Sequence, residues 1–123
     1  MKPTLYLGVS QVDITPKVGT CLYGYRPNLK SESVHDPLTA TTFYFQDGQT
    51  EALLISLCIC SINTSLCGEL TATLSQASQV PQANVIVHCI HNHSAPNLTG
   101  TVGWGDLDME YYQEILLPRF CAR

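Results

Sequence analysis

The chain has 123 residues, of which 45% are hydrophobic and 13% charged, a balance that describes one modest globular domain and excludes a disordered chain. Its formal net charge is -4 and no Lys/Arg cluster occurs, so no nucleic-acid or anionic-membrane surface is expected. No apolar run approaches the roughly 20 residues that cross a bilayer, so no transmembrane segment is expected either.

Residues 1–16, MKPTLYLGVSQVDITP, lack the apolar core of a signal peptide. The chain as it stands is therefore expected to be cytoplasmic, and secreted if a leader precedes it. Residues 5–14 alternate loosely between apolar and small polar side chains and stop at Thr15-Pro16, which predicts an edge strand. Residues 17–36 carry Gly19, Gly24 and Pro27 and predict a long irregular loop. Such loops are uncommon unless they line a site. Tyr23, Tyr25, Arg26 and His35 are then candidate pocket walls, with a solvated connection anchored by aromatics as the equal alternative.

Residues 39–46 are rich in Thr, Phe and Tyr, which suit a pleated half-buried surface. Asp47-Gly48 signals a hairpin, and the almost wholly apolar run 52–60 predicts a central strand covered on both faces. Asn63-Thr64-Ser65 supplies helix-start chemistry. Leu66, Leu70, Leu74 and Ala77 recur at helical spacing as a core-facing stripe, and Val80-Pro81 closes the helix. A strand over 85–90 completes a βαβ unit with parallel strands. Asp108 caps a last helix through Tyr111, Tyr112, Ile115 and Leu116, interrupted at Pro118. The glycines around Trp104 lack the lysine and spacing of a phosphate loop. The fold class is α/β: a mixed sheet with a βαβ unit and flanking helices, an incomplete part of a larger domain. Cut sheet edges in such a piece predict self-association.

Six cysteines are present and none forms a C-x-x-C pair. Without a secretion signal they are expected to be reduced, with Cys58 and Cys60 as small core residues. The sequons at Asn63 and Asn97 matter only in a secreted chain.

Chemistry concentrates in residues 84–96, NVIVHCIHNHSAP. If the strand runs on through His91 and His93, its two-residue period puts both imidazoles on one face. Their nitrogens can then converge on a divalent metal such as zinc at the strand's C-terminal tip. The same period turns His88 to the opposite face and Cys89 to the shared one. A His pair bonded to backbone carbonyls at a wet surface is the plain alternative. Among H-x-H patterns, a metallo-β-lactamase needs Asp-His within the motif, where Ser94-Ala95-Pro96 stands, and a TIM-barrel amidohydrolase has Asp two residues before the first His, where Cys89 stands.

Three separated stretches, GVSQVDITP, VHDPLTA at residues 34–40 and HNHSAP at residues 91–96, together resemble the N-terminal part of the neutral (non-lysosomal) ceramidase family. The resemblance covers residues 1–123 almost entirely. It implies a zinc-dependent hydrolase of N-acyl, ceramide-like amide bonds, with Zn2+ as cofactor and a lipid-like amide as substrate. It implies that His91 is a zinc ligand and that His93 lies in the active site, close to the metal or contacting the substrate, as a second ligand and catalytic residue. The family's further ligands, another His, a Glu and a Tyr, lie downstream of this stretch, so the resemblance implies a truncated portion inactive alone. Ile90 and Asn92 replace threonines of the motif, and Thr41 stands where the family usually carries Arg. The second expectation, from another class, is a small non-catalytic α/β interaction module.

Overall fold

The structure is a computed structural model that describes residues 4–121; residues 1–3, part of the stretch weighed as a leader, and residues 122–123 lie outside the described ones. Strand β1 (Tyr6–Asp13) leads into a short pair, β2 (Cys21–Leu22) and β3 (Leu29–Lys30), and then into β4 (Thr39–Gln46) and β5 (Glu51–Leu57). Helix α1 (Thr64–Ser78) crosses to β6 (Val85–Cys89), and a short helix α2 (Met109–Tyr111) runs on through a π-helical turn (Tyr112–Leu116) and a 3-10 turn (Leu117–Phe120). The main sheet has the order β1-β4-β5-β6. β1 and β4 are antiparallel, as are β4 and β5, and β5 and β6 are parallel. The α/β mixed sheet and its βαβ unit are as the sequence predicts.

Local chemistry explains the elements. Asp13 Oδ1 accepts from the Thr15 N–H at 2.7 Å as β1 ends. Asp47 Oδ1 accepts from Gln49 and Thr50, at 2.9 and 2.7 Å, and Gly48 takes φ +91°, which together close the β4–β5 turn. The Asn63 side chain caps α1 by accepting from the Leu66 N–H at 2.9 Å. Gln79 in the left-handed region ends the helix.

The core lies between one sheet face and the helices. Leu53, Ile55 and Leu57 of β5 and Val85 of β6 meet Leu66, Leu70 and Leu74 of α1, with Tyr111, Tyr112, Leu116 and Phe120 closing the far side. Tyr111 donates its buried hydroxyl to the Ile14 carbonyl at 2.6 Å, and burial pushes its pKa well above the usual phenol range. Ala77, expected in the helix stripe, is exposed. The chain reverses at Gln79, and Val80 is the residue fully buried at that end.

The other sheet face carries no helix among the described residues, so β5 is covered on one face and not on two. Val9, Phe43, Leu54 and Ile86 form one apolar row across it. Val9 and Ile86 are 58% and 56% exposed, while Phe43 and Leu54 are half-buried by the strands on either side.

Candidate metal centre

β6 ends at Cys89, four residues short of a strand through both histidines. The Ile90 N–H still reaches the Leu57 carbonyl at 3.1 Å and the His91 N–H the Ile59 carbonyl at 3.0 Å. His91 then takes φ +66°, a left-handed conformation costly for a side chain with a Cβ. The alternation that predicts a shared strand face therefore fails at His91, and a turn brings the imidazoles together instead. Their centroids lie 5.2 Å apart.

The turn also folds His91 back over the end of β5. Its Nδ1 lies 3.0 Å from the Cys60 carbonyl oxygen, so Nδ1–H donates and Nε2 keeps its lone pair. The Cys60 Sγ sits 3.4 Å from Nδ1 and 3.9 Å from Nε2. One donor atom from each of Cys60, His91 and His93 falls within 4.8 Å of the others. Cys60 is buried and burial raises its thiol pKa, while His91 is exposed and His93 half-buried.

Two neighbouring segments hold the histidine loop. The Tyr23 N–H donates to the Ala95 carbonyl at 2.9 Å, and Leu22 bridges to Pro96. Gly24, at φ +124°, backs directly onto the His93 ring: a Cβ there would lie 2.4 Å from its Cγ. Tyr25 meets the same ring edge to face, with centroids 5.0 Å apart. On the other side Ile62 bridges to Leu98, and the Ser61 and Thr99 hydroxyls hydrogen-bond. Asn97, buried, accepts from the Thr99 and Gly100 N–H groups at 3.0 Å each and donates to the Gly105 carbonyl at 3.2 Å. Both sequon asparagines thus spend their side chains on the fold.

The remaining candidates lie elsewhere. His88 is exposed on the open sheet face, its Nδ1 3.2 Å from the Ser56 hydroxyl. Cys89 faces the helix side, where burial pushes its thiol pKa to about 11. His35 is exposed and pairs with its neighbour Asp36 at 2.8 Å. Of the expected wall residues, Tyr25 touches the site, Tyr23 packs on Trp104 at 6.3 Å and bonds Thr101, and Arg26 is exposed. The broad groove lined by Thr15, Leu29, Val34 and Leu38 touches the histidine loop only at Ser94.

Sequence reading singles out His91 and His93 and takes Cys60 as a small core residue; it is buried as expected, and its thiol also faces the histidines. The signal for Cys60 is register: Leu57 pairs with Cys89 in the parallel ladder, so residues just beyond each strand's end arrive at one sheet edge. Two imidazoles and a thiol are soft and borderline donors, which suit zinc-like ions and not the oxygen-seeking Mg2+ or Ca2+. The donor set thus fits a zinc-like ion.

No protein-family model matches the chain, and no curated protein sequence matches it. Among solved structures, neutral ceramidase from Pseudomonas aeruginosa is similar with a TM-score of 0.68 and 19% identity, over 79% of this chain and 16% of that one. A ceramidase complexed with C2 is similar with a TM-score of 0.68 and 20% identity, over 78% and 16%. The chain spans 16% of the length of these structures, and the matched part shares their fold.

Proposed function

We propose that this chain carries part of the active site of a zinc-dependent hydrolase of N-acyl, ceramide-like amide bonds. His91 and His93 are its metal ligands, and His93 also handles the substrate's oxygen or proton. The observation that carries the reading is the meeting of the two imidazoles at the C-terminal tip of β6, in a chain with the fold of part of a neutral ceramidase. A zinc ion, when bound, supplies a water of lowered pKa and polarises the amide carbonyl. The chain's own part is positional. The Cys60 carbonyl fixes the His91 tautomer, leaving Nε2 for the metal. Gly24 and Tyr25 hold His93 beside it, where an imidazole can relay a proton or support the developing oxyanion.

No carboxylate belongs to the Cys60/His91/His93 cluster, so the 123-residue chain is expected to bind metal and hydrolyse little. Calorimetric titration with Zn2+ tests the site: wild type binds and His91→Ala does not. Equal behaviour of the two favours the non-catalytic module. Hydrolysis of an N-acylsphingosine by protein expressed from the complete coding region tests the reaction. Zinc-dependent cleavage lost in His91→Ala supports it, and an inactive, zinc-loaded protein overturns it.

A separate observation favours self-association. β1 pairs only with β4 among the described residues, and its Leu7 and Val9 lie exposed on the bare sheet face. Sedimentation should show concentration-dependent dimers that weaken in Val9→Lys; a monomer at every concentration refutes this.

A further inference from the structure

We propose that the turn at residues 101–104, beside the histidine loop, docks this end of the molecule on a zwitterionic lipid surface. This rests on reading the substrate as a lipid-like amide, and it names the surface on which such a substrate is met.

The turn is built to present apolar side chains. The Trp104 N–H donates to the Thr101 carbonyl at 3.1 Å and Gly103 takes φ +86°, so Val102 stands at the corner. Turn corners are dominated by Gly, Pro, Asn, Asp and Ser, yet this one is a valine that is 98% exposed. A lone exposed valine needs no explanation. Here an exposed tryptophan, Trp104, stands two residues on, and residues 97–105 carry no charged side chain at all.

Named contacts hold the turn and join it to the candidate centre. The Tyr23 and Thr101 hydroxyls hydrogen-bond at 2.9 Å, and the Tyr23 and Trp104 rings meet edge to face at 6.3 Å. Beyond Gly24, the exposed Tyr25 meets His93 at 5.0 Å. Aromatic side chains thus lead from the imidazole to the turn. Because the turn is already clamped, docking orders little that is free beforehand. Tryptophan and tyrosine favour the boundary of lipid and water, where the ring lies among apolar chains and the N–H or O–H stays wet. The chain has a net charge of -4 and no Lys/Arg cluster, so the attraction is apolar and needs no anionic lipid.

Trp104 is the one tryptophan of the sequence, so its fluorescence reports on the turn directly. Phosphatidylcholine vesicles, free of any amide lipid, should shift its emission to the blue and shield it from iodide quenching. The shift should persist at high salt and should not grow when phosphatidylserine is added. Val102→Asp should weaken vesicle binding at least about tenfold while leaving Zn2+ affinity and the circular dichroism spectrum unchanged. Val9→Lys, on the bare sheet face, should leave vesicle binding as it is. Absence of a vesicle-induced shift overturns the proposal, and so does binding that survives Val102→Asp but is lost in Val9→Lys. A shift that grows with protein concentration alone, and that vesicles do not add to, marks a protein contact and overturns it as well. Equal zinc binding by wild type and His91→Ala overturns the hydrolase reading alone, because the vesicle assay contains no metal.

Discussion

The interior and the tip of this molecule are built by different means. Between α1 and the sheet, aliphatic side chains remove one another from water: Ile55, Leu57, Ile59 and Leu70 are wholly buried. At the tip, where β5 and β6 end, order comes from single polar contacts and unusual backbone. Cys60, His91, Gly24 and Asn97 are set by one to three hydrogen bonds each or by a positive φ. Burial is redundant, so the interior defines the fold. The tip depends on a few non-redundant contacts, so small changes there alter the site without unfolding the chain.

The largest expected effect tests the first half of that contrast. Leu70 sits at the centre of the α1 stripe with no exposed surface, and Leu70→Ala should lower unfolding free energy by about 2–5 kcal/mol. Urea melts monitored by circular dichroism measure it. A loss below about 1 kcal/mol would mean that α1 is only loosely seated on the sheet.

Gly24→Ala should come next and act at the tip. The new methyl forces the His93 ring away, and the backbone is strained at φ +124°, for a cost of about 1–3 kcal/mol. On the proposed reading, in which the displaced ring is a ligand, metal affinity should fall by more than this stability loss implies. Calorimetry beside the urea melt separates the two effects, and intact zinc affinity in Gly24→Ala would show that His93 is not one.

How much of this was legible in the sequence follows the same division. Hydrophobic periodicity and turn chemistry locate β4, α1, β6 and the Asp47-Gly48 turn, since these depend on local patterns. His91 and His93 are also legible, because metal-binding residue types at close spacing are visible without a fold. Their geometry is not. A two-residue period assumes extended backbone, and His91 leaves it for a left-handed turn. Cys60 and Gly24 escape notice for another reason: one depends on strand register, the other on a contact with His93 across 69 residues of chain. The bare sheet face escapes as well, since the almost wholly apolar run 52–60 offers both faces of β5 alike, whether or not a helix covers the second.

Asn63 stands on the border between the two regions. Its side chain caps α1, while its own N–H donates to the Leu98 carbonyl beyond the histidine loop at 2.9 Å. Asn63→Ala removes the cap and keeps the backbone bond, so it should cost about 1 kcal/mol. Metal binding should be unchanged. A fall in metal affinity beyond tenfold would show that the helix start and the tip are mechanically coupled.

The smallest stability effect is expected at the residue most important to the site. His91→Gly releases a left-handed strain of roughly 1–2 kcal/mol. Against this stand the extra chain entropy of glycine, about 0.5–1 kcal/mol, and the lost bond from Nδ1 to the Cys60 carbonyl, about 0.5–1.5 kcal/mol. The ring is exposed, so little apolar burial is lost with it. These terms nearly cancel, and the midpoint of urea unfolding in metal-free buffer should move by the equivalent of no more than about 1 kcal/mol. Zinc binding should nevertheless vanish. If instead the variant loses more than about 2 kcal/mol without metal, His91 belongs to the interior's network of support, and its left-handed turn serves the fold. A near-silent melt with abolished binding would mean that the strain at His91 is carried for the metal alone, because nothing else in the chain gains from keeping a histidine there.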